Sequence, residues 1–336
     1  MIAARHGARL FSAIAVLGVV LVFSSCAPTV MPAGPTTTAP RIEAATVVLS
    51  DGVGLPLKSW VPTEGRPRAV ILALHGFNDY GNAFELPARY WAAHGVATYA
   101  YDQRGFGASP VRGLWAGTET LVDDAKTVAR LVRTRHPGTP FYLLGESMGG
   151  AVLIAASNPH LPPADGVILV APAVRGRETM GALYRGVLWL GAHLFPWAEL
   201  TGEGLDIVAT DNVEVLRAMQ KDPLIIKSTR IDAIWGLVDL MDRALATAPL
   251  LGSPSALVVY GTRDEVVPAG PVETFVERLP DEVSVAVYDH GYHMLLRDLR
   301  SKPVLDDILA WTKKPGAPLA SRADQAGAAL FDRVAQ

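Results

Sequence analysis

FYLLGESMGGAVLIAAS, residues 141–157, opens on apolar residues, turns at Gly145-Glu146-Ser147-Met148-Gly149 and continues in residues that suit a helix. Glycines flanking such a turn let the backbone pass close to neighbouring chain, because no Cβ intervenes. Ser147 then sits at the apex of strand, sharp turn and helix, the context in which a G-x-S-x-G string presents a serine as a nucleophile. Working outward, short apolar runs recur at AVILALHG (69–76), VATYAYD (96–102), GVILVAP (166–172), SALVVYG (255–261) and VSVAVYD (283–289). Each is apolar on both alternations, as parallel strands buried on both faces require. Between two of them, Leu121, Val122, Ala125, Val128, Ala129 and Val132 share one face of a helix over 118–136. Upstream, TVVLS (46–50) and LPLKSWVP (55–62) flank DGVG and read as a β-hairpin. The pattern predicts an α/β fold, a mostly parallel sheet with helices on both faces.

Residues 173–250 interrupt the alternation. They carry no evident strand and read as helix-like throughout, an insertion too long for a plain connection. The expected layout is a core of 43–172 and 251–313, a helical cap of 173–250 and a frayed tail of 314–336 holding a last helix at 325–334. The cap contains Trp189, Leu190, Phe195, Trp197, Trp235, Leu240 and Met241. These either pack on the body, line an apolar tunnel or touch a membrane; LYRGVLWLGAHLFPW (183–197) is the candidate for the last two.

A serine hydroxyl needs a base, and working residues of an open parallel sheet gather at the carboxyl ends of its strands. Asp264 follows SALVVYG by three residues, and His293 follows VSVAVYD by four. His293 would take the serine proton, and Asp264 would orient the imidazole. His290 competes as base and Glu265 as acid; Asp289 reads as a turn residue. The oxyanion needs backbone donors. The N–H groups of Met148, just after the nucleophile, and of Phe77, in HGFND after the first long strand, are the candidates. His75 reads as a brace for that loop.

Half the residues are apolar and 19% are charged, so the chain can bury a large core. A net charge of -3 without a basic run argues against nucleic acid as a partner. The one cysteine excludes an intrachain disulfide framework, a Cys-rich zinc site and a CxxC pair. Arg5 and Arg9 precede an apolar run from Leu10 to Phe23. That run spans about 21 Å as a helix, short of a bilayer core of about 30 Å, and reads as a secretory signal over 1–25. Removing it takes two arginines and no acid, which leaves a more acidic body with no electrostatic pull towards anionic lipid. Residues 26–42 follow as a Pro- and Thr-rich tether, expected to be extended and poorly packed.

Two resemblances add to this. Phe23-Ser24-Ser25-Cys26 resembles a bacterial lipoprotein lipobox, with Phe23 where leucine is usual, and implies that Cys26 is acylated. The implied location is the bacterial cell envelope, with the outer membrane preferred because Ala27 follows the cysteine; secretion or a periplasmic location is the alternative. HGFNDY (75–80), YDQRGFGAS (101–109), GESMGG (145–150), GTRDEVVP (261–268) and HGYHML (290–295) resemble serine α/β-hydrolases of the monoacylglycerol lipase and lysophospholipase group. Over 45–312 the resemblance implies an α/β-hydrolase fold with a helical cap. It puts nucleophile, acid and base on Ser147, Asp264 and His293, oxyanion donors on Phe77 and Met148, and a loop-tying role on Arg104. The implied substrate is an ester of a single-chain lipid, with no metal or organic cofactor. Short soluble esters, acyl transfer to an alcohol and a non-catalytic binding protein are the alternative functions.

Overall fold

The computed structural model describes residues 27–157, 161–202, 204, 206–251 and 255–331. Cys26 and the secretory signal expected over 1–25 lie outside the described residues. In chain order the strands are β1 (Arg41–Glu43), β2 (Thr46–Val48), β3 (Gly54–Trp60), β4 (Ala69–Leu74), β5 (Val96–Tyr101), β6 (Phe141–Glu146), β7 (Gly166–Val170), β8 (Glu199–Thr201), β9 (Ser228–Arg230), β10 (Ala256–Gly261) and β11 (Ser284–Tyr288). The helices are α1 (Glu85–Ala93), α2 (Thr118–Arg135), α3 (Met148–Ala155), α4 (Ala182–Leu194), α5 (Val213–Lys221), α6 (Ile231–Thr247), α7 (Ala269–Val276), α8 (Lys302–Trp311) and α9 (Ala323–Phe331).

The large sheet runs β1-β2-β3-β5-β4-β6-β7-β10-β11. From β5 to β11 every neighbouring pair is parallel; the hairpin edge β1-β2-β3 is antiparallel and joins β5 through β3. Every residue of β4, β5, β6, β7 and β10 is buried, which is why these strands read as unbroken apolar runs. Alternate side chains feed opposite layers. Val70, Leu72 and Leu74 pack with α2, α3 and α6, while Ala69, Ile71 and Ala73 pack with α1 and α8. The helix expected over 118–136 is α2, and all six residues of its apolar face are buried. The sheet therefore has helices on both faces, an α/β-hydrolase arrangement with a helical insertion after β7.

Three local expectations differ from the structure. The insertion is not helical throughout: β8 and β9 form a short antiparallel pair between α4 and α6. Strands of three residues are too short to show periodicity. The tether is exposed along most of its length, but it is fastened to the body rather than loose. Met31 N–H donates to Trp115 O at 2.8 Å, Gly34 N–H to Asp51 Oδ2 at 3.1 Å, and Thr37 N–H to Ser50 O at 2.7 Å. Its prolines limit the freedom of the unbound chain, so strapping it down costs less entropy. The tail is not frayed either. Helix α9 lies against β11 with Gly327 buried, where a Cβ would stand 2.1 Å from Val285 O.

That contact yields a test. Gly327→Val should undock α9 and expose the chain at Arg322. Trypsin should then cleave after Arg322 at least tenfold faster than in the unsubstituted protein, read by mass spectrometry of a limited digest. Equal rates would mean that α9 is not held there.

Candidate active site

Strand β6 delivers Ser147 to the carboxyl edge of the sheet. The serine backbone lies at φ 52° and ψ -115°, a region L-residues avoid. It is held there by Ser147 N–H donating to Val170 O at 2.9 Å and by Ser147 O accepting from Ala173 N–H at 2.9 Å. Two glycines make the turn possible. A Cβ on Gly145 would stand 2.5 Å from the Gly149 carbonyl, and one on Gly149 would stand 2.1 Å from Leu74 O, at the end of β4. Met148 opens α3, so its N–H belongs to the first turn, where no carbonyl four residues back is available.

Asp264 follows β10 and is buried. Its Oδ1 accepts from the N–H groups of Val266 and Val267 at 2.9 and 2.8 Å, and its Oδ2 pairs with His293 Nδ1 at 2.7 Å. Nδ1 is thus the donor, and Nε2 carries the free lone pair. The loop bearing His293 is pinned on both sides. Arg263 N–H donates to Gly291 O at 2.8 Å, and Tyr292 N–H to Asp298 Oδ2 at 2.8 Å. His293 and Ser147 line one cavity of about 380 Å³. His290 is outside it, exposed and paired with Asp289 at 3.1 Å; exposed Glu265 accepts from Val208 N–H. Of the four acid and base candidates, the structure brings only Asp264 and His293 together beside Ser147.

The loop after β4 forms the opposite wall. His75 is fully buried: its Nδ1 lies 2.8 Å from Gly76 O, and its Nε2 accepts from Gln103 N–H at 2.9 Å. An accepting Nε2 fixes the neutral tautomer, and burial pushes the imidazole below its ordinary proton affinity. A Cβ on Gly76 would stand 3.3 Å from Ser147 Cβ, so this loop brings the backbone of Phe77 next to the serine. Phe77 itself lines the cavity. Asn78 has a positive φ of 65°; its carbonyl accepts from Ile226 N–H at 3.0 Å and its amide donates to Thr229 Oγ1 at 2.7 Å, both in the cap. Arg104 ties the loop at Asp51 to α2, reaching Asp51 and Asp124 at 2.8 Å each.

The cap covers the site with Met219, Ile225, Ile226, Leu237 and Met241. No residue of 183–197, the tunnel candidate, lines the cavity. That stretch faces outward, with Leu183 and Tyr184 77% and 71% exposed. Two residues that sequence reasoning did not single out, Asp79 and Arg297, also line the cavity and pair at 2.8 Å. They lie 218 positions apart, a separation that no local pattern bridges.

A family model described as serine aminopeptidase, S33 (Hydrolase_4) matches residues 65–300. A monoacylglycerol lipase of Mycolicibacterium smegmatis is 28% identical over 268 residues, covering 77% of this chain and 93% of that protein. The monoglyceride lipase of Homo sapiens is 24% identical, covering 80% of this chain and 89% of its own. Among solved structures, a soluble variant of the monoglyceride lipase of Saccharomyces cerevisiae superposes with a TM-score of 0.67 at 19% identity, over 85% of this chain and 99% of that one. This last likeness is one of fold.

The neutral His75 links stability to pH. Below about 6.5 the unfolded chain protonates this histidine while the folded one does not. Stability should therefore fall as pH drops from about 7 towards 5. Buried Glu146, pushed upward chiefly by its burial, works in the opposite sense. The measurement is therefore a difference: as pH drops over this range, the urea midpoint should fall less, or rise, in His75→Gln compared with the unsubstituted protein. Equal changes would show that His75 does not carry the effect.

Proposed function

The chain belongs to the serine aminopeptidase S33 family and is a carboxylic ester hydrolase, and from that premise we propose that it cleaves esters of single-chain lipids, a monoacylglycerol or a lysophospholipid. One observation carries this reading. Ser147 and the Asp264-paired His293 open into a single cavity whose remaining walls are largely aliphatic. Such a cavity suits an acyl chain with its carbonyl at the polar end.

In the proposed reaction His293 Nε2 accepts the Ser147 proton as Oγ attacks the ester carbonyl. Asp264 holds the ring and stabilises its charged form. The N–H groups of Phe77 and Met148 take the charge that develops on the carbonyl oxygen. Collapse breaks the ester C–O bond, and His293 returns its proton to the leaving alcohol. Water then attacks the acyl-enzyme, giving up a proton to His293, and a fatty acid leaves while Ser147 Oγ is reprotonated.

Membrane attachment through an acylated Cys26, in a bacterial envelope, belongs to the same reading. The first described residues support it. Thr29 N–H reaches Asp232 Oδ2 at 3.3 Å, and Asp232 N–H donates to Pro196 O at 3.1 Å. The strap therefore starts beside exposed Phe195 and Trp197. These continue the outer face of α4, where Leu183, Tyr184, Val187, Trp189, Leu190 and Leu194 are exposed and only Ala192 is buried. A helix so exposed and so apolar suits a lipid surface, and Thr29, three residues after Cys26 in sequence, lies near its end.

Two experiments test the reading. Protein beginning at Ala27 should hydrolyse p-nitrophenyl esters with a preference for chains of about eight carbons or more, and should cleave a monoacylglycerol or a lysophospholipid. Ser147→Ala should lower kcat by at least about 10⁴-fold and Asp264→Asn by about 10³–10⁴-fold. Retained activity in Ser147→Ala would sink the catalytic assignment, and a preference for acetate would move the substrate to short esters. In whole cells Cys26→Ser should lose lipid labelling and membrane fractionation. With neutral phosphatidylcholine vesicles, Trp189→Ser and Trp197→Ser together should weaken binding of the unlipidated body at least fivefold, with little dependence on salt. Unchanged binding would remove α4 from the membrane reading.

A further inference from the structure

Arg297 is buried four residues beyond His293. Its Nη1 donates to Asp79 Oδ2 at 2.8 Å and its Nη2 to Glu146 Oε2 at 3.1 Å. Its own carbonyl accepts from Asn212 Nδ2 of the cap at 3.0 Å. Each partner adjoins a group of the reaction. Asp79 lies two residues after Phe77, Glu146 immediately before Ser147, and Arg297 itself on the segment that carries His293. One planar side chain thus touches the oxyanion loop, the nucleophile turn and the base loop.

Burial pushes Glu146 upward, and Arg297 opposes that shift. An ion cluster of this kind is weak evidence for stability, since apolar residues of similar volume often serve as well or better. What an arginine supplies is geometry. Its fork reaches two carboxylates at a set separation and in one plane, which the single ammonium of a lysine does not. The second hold on the oxyanion loop is one residue away, where Asn78 bonds Ile226 and Thr229 of the cap. Phe77 N–H is therefore placed by an aspartate fixed from the core side and an asparagine fixed from the cap side.

We propose that Arg297 is a positioning residue for this reaction, setting through Asp79 and Glu146 the distances among the Phe77 oxyanion donor, Ser147 and His293. This rests on the proposed acyl transfer at Ser147. Displacing a reacting group by about 1 Å costs on the order of 10²-fold, and losing one oxyanion donor costs about 10²–10³-fold.

The test uses p-nitrophenyl butyrate, which reports acyl transfer whatever the natural lipid. Ser147→Ala is measured first; if it keeps activity, the catalytic reading fails on its own account. Arg297→Lys keeps the charge but not the fork. Its kcat per titrated active site should fall about 10–100-fold with KM within about twofold. Its affinity for an alkyl boronic acid, which forms a tetrahedral adduct on the serine, should fall by the same factor as kcat/KM. A merely structural loss would instead lower the number of titratable sites and leave kcat per site and boronate affinity unchanged, and that result would overturn the proposal. Asp79→Asn, isosteric and uncharged, is the second variant and decides the matter if Arg297→Lys does not fold. It should lose about tenfold or more in kcat with a parallel loss of boronate affinity, and kcat within twofold of the unsubstituted protein would refute the brace.

Discussion

The structure turns on the close contact between the nucleophile turn and the end of β4. Gly149 lies so near Leu74 O that no side chain fits between them, and Gly145 is closed off by Gly149 in the same way. This contact brings Ser147 and the loop from His75 to Tyr80 to one point on the sheet edge. It requires β4 and β6 to be parallel neighbours, with β5 displaced to the other side of β4. The chain leaves β4 towards β5 on one side and meets β6 on the other, so a crevice opens at their carboxyl ends. The remaining parallel strands extend the sheet from there. β10 brings Asp264 and β11 brings His293 to the same edge, and the 2.7 Å bond between them depends on those strands being adjacent.

A sheet buried on both faces leaves charged groups near its edge with little water, and the structure meets this by pairing them. Arg104 joins Asp51 and Asp124; Arg297 joins Asp79 and Glu146. Asp51 also accepts from Gly34 N–H, so the first cluster fastens the strap to the body. Both arginines connect segments far apart in sequence, and both use more than one nitrogen to do so. Their value lies in where they hold loops, because removing two charges from water offsets much of what their attraction returns.

How much of this was legible in the sequence follows from the same physics. β4, β5, β6, β7 and β10 are buried on both sides, so each left a continuous apolar run. That Ser147, Asp264 and His293 stand at strand ends was legible because their spacing from the apolar runs is short. β1, β8 and β9 were not, since three residues, with Thr229 of β9 the one buried among them, carry no period. A last helix was legible near α9, but its seat on β11 and the bonds that fasten the strap were not. Backbone N–H groups and a single glycine hold these segments, and neither leaves a mark in apolar content. Asp79 and Arg297 were out of reach for another reason: a pairing between residues 218 positions apart exists only once the sheet has formed.

The two halves of the site answer to different constraints. On the sheet edge every position is over-determined: backbone bonds fix Ser147, two N–H groups and a histidine fix Asp264, and a glutamine fixes His75. Facing it, Leu237 and Met241 of α6 meet the cavity through apolar side chains, and Met219 of α5 does so with its Sδ 3.9 Å from Arg297 Nη1. Apolar walls tolerate changes of size and shape far better than hydrogen-bonded ones, and methionine adapts most readily of all. In the proposed reaction the geometry needed for bond breaking belongs to the core, while the volume offered to the substrate belongs to the cap. The cap is still tied to the core loop, because Ile226 and Thr229 grip Asn78, one residue from the proposed oxyanion donor.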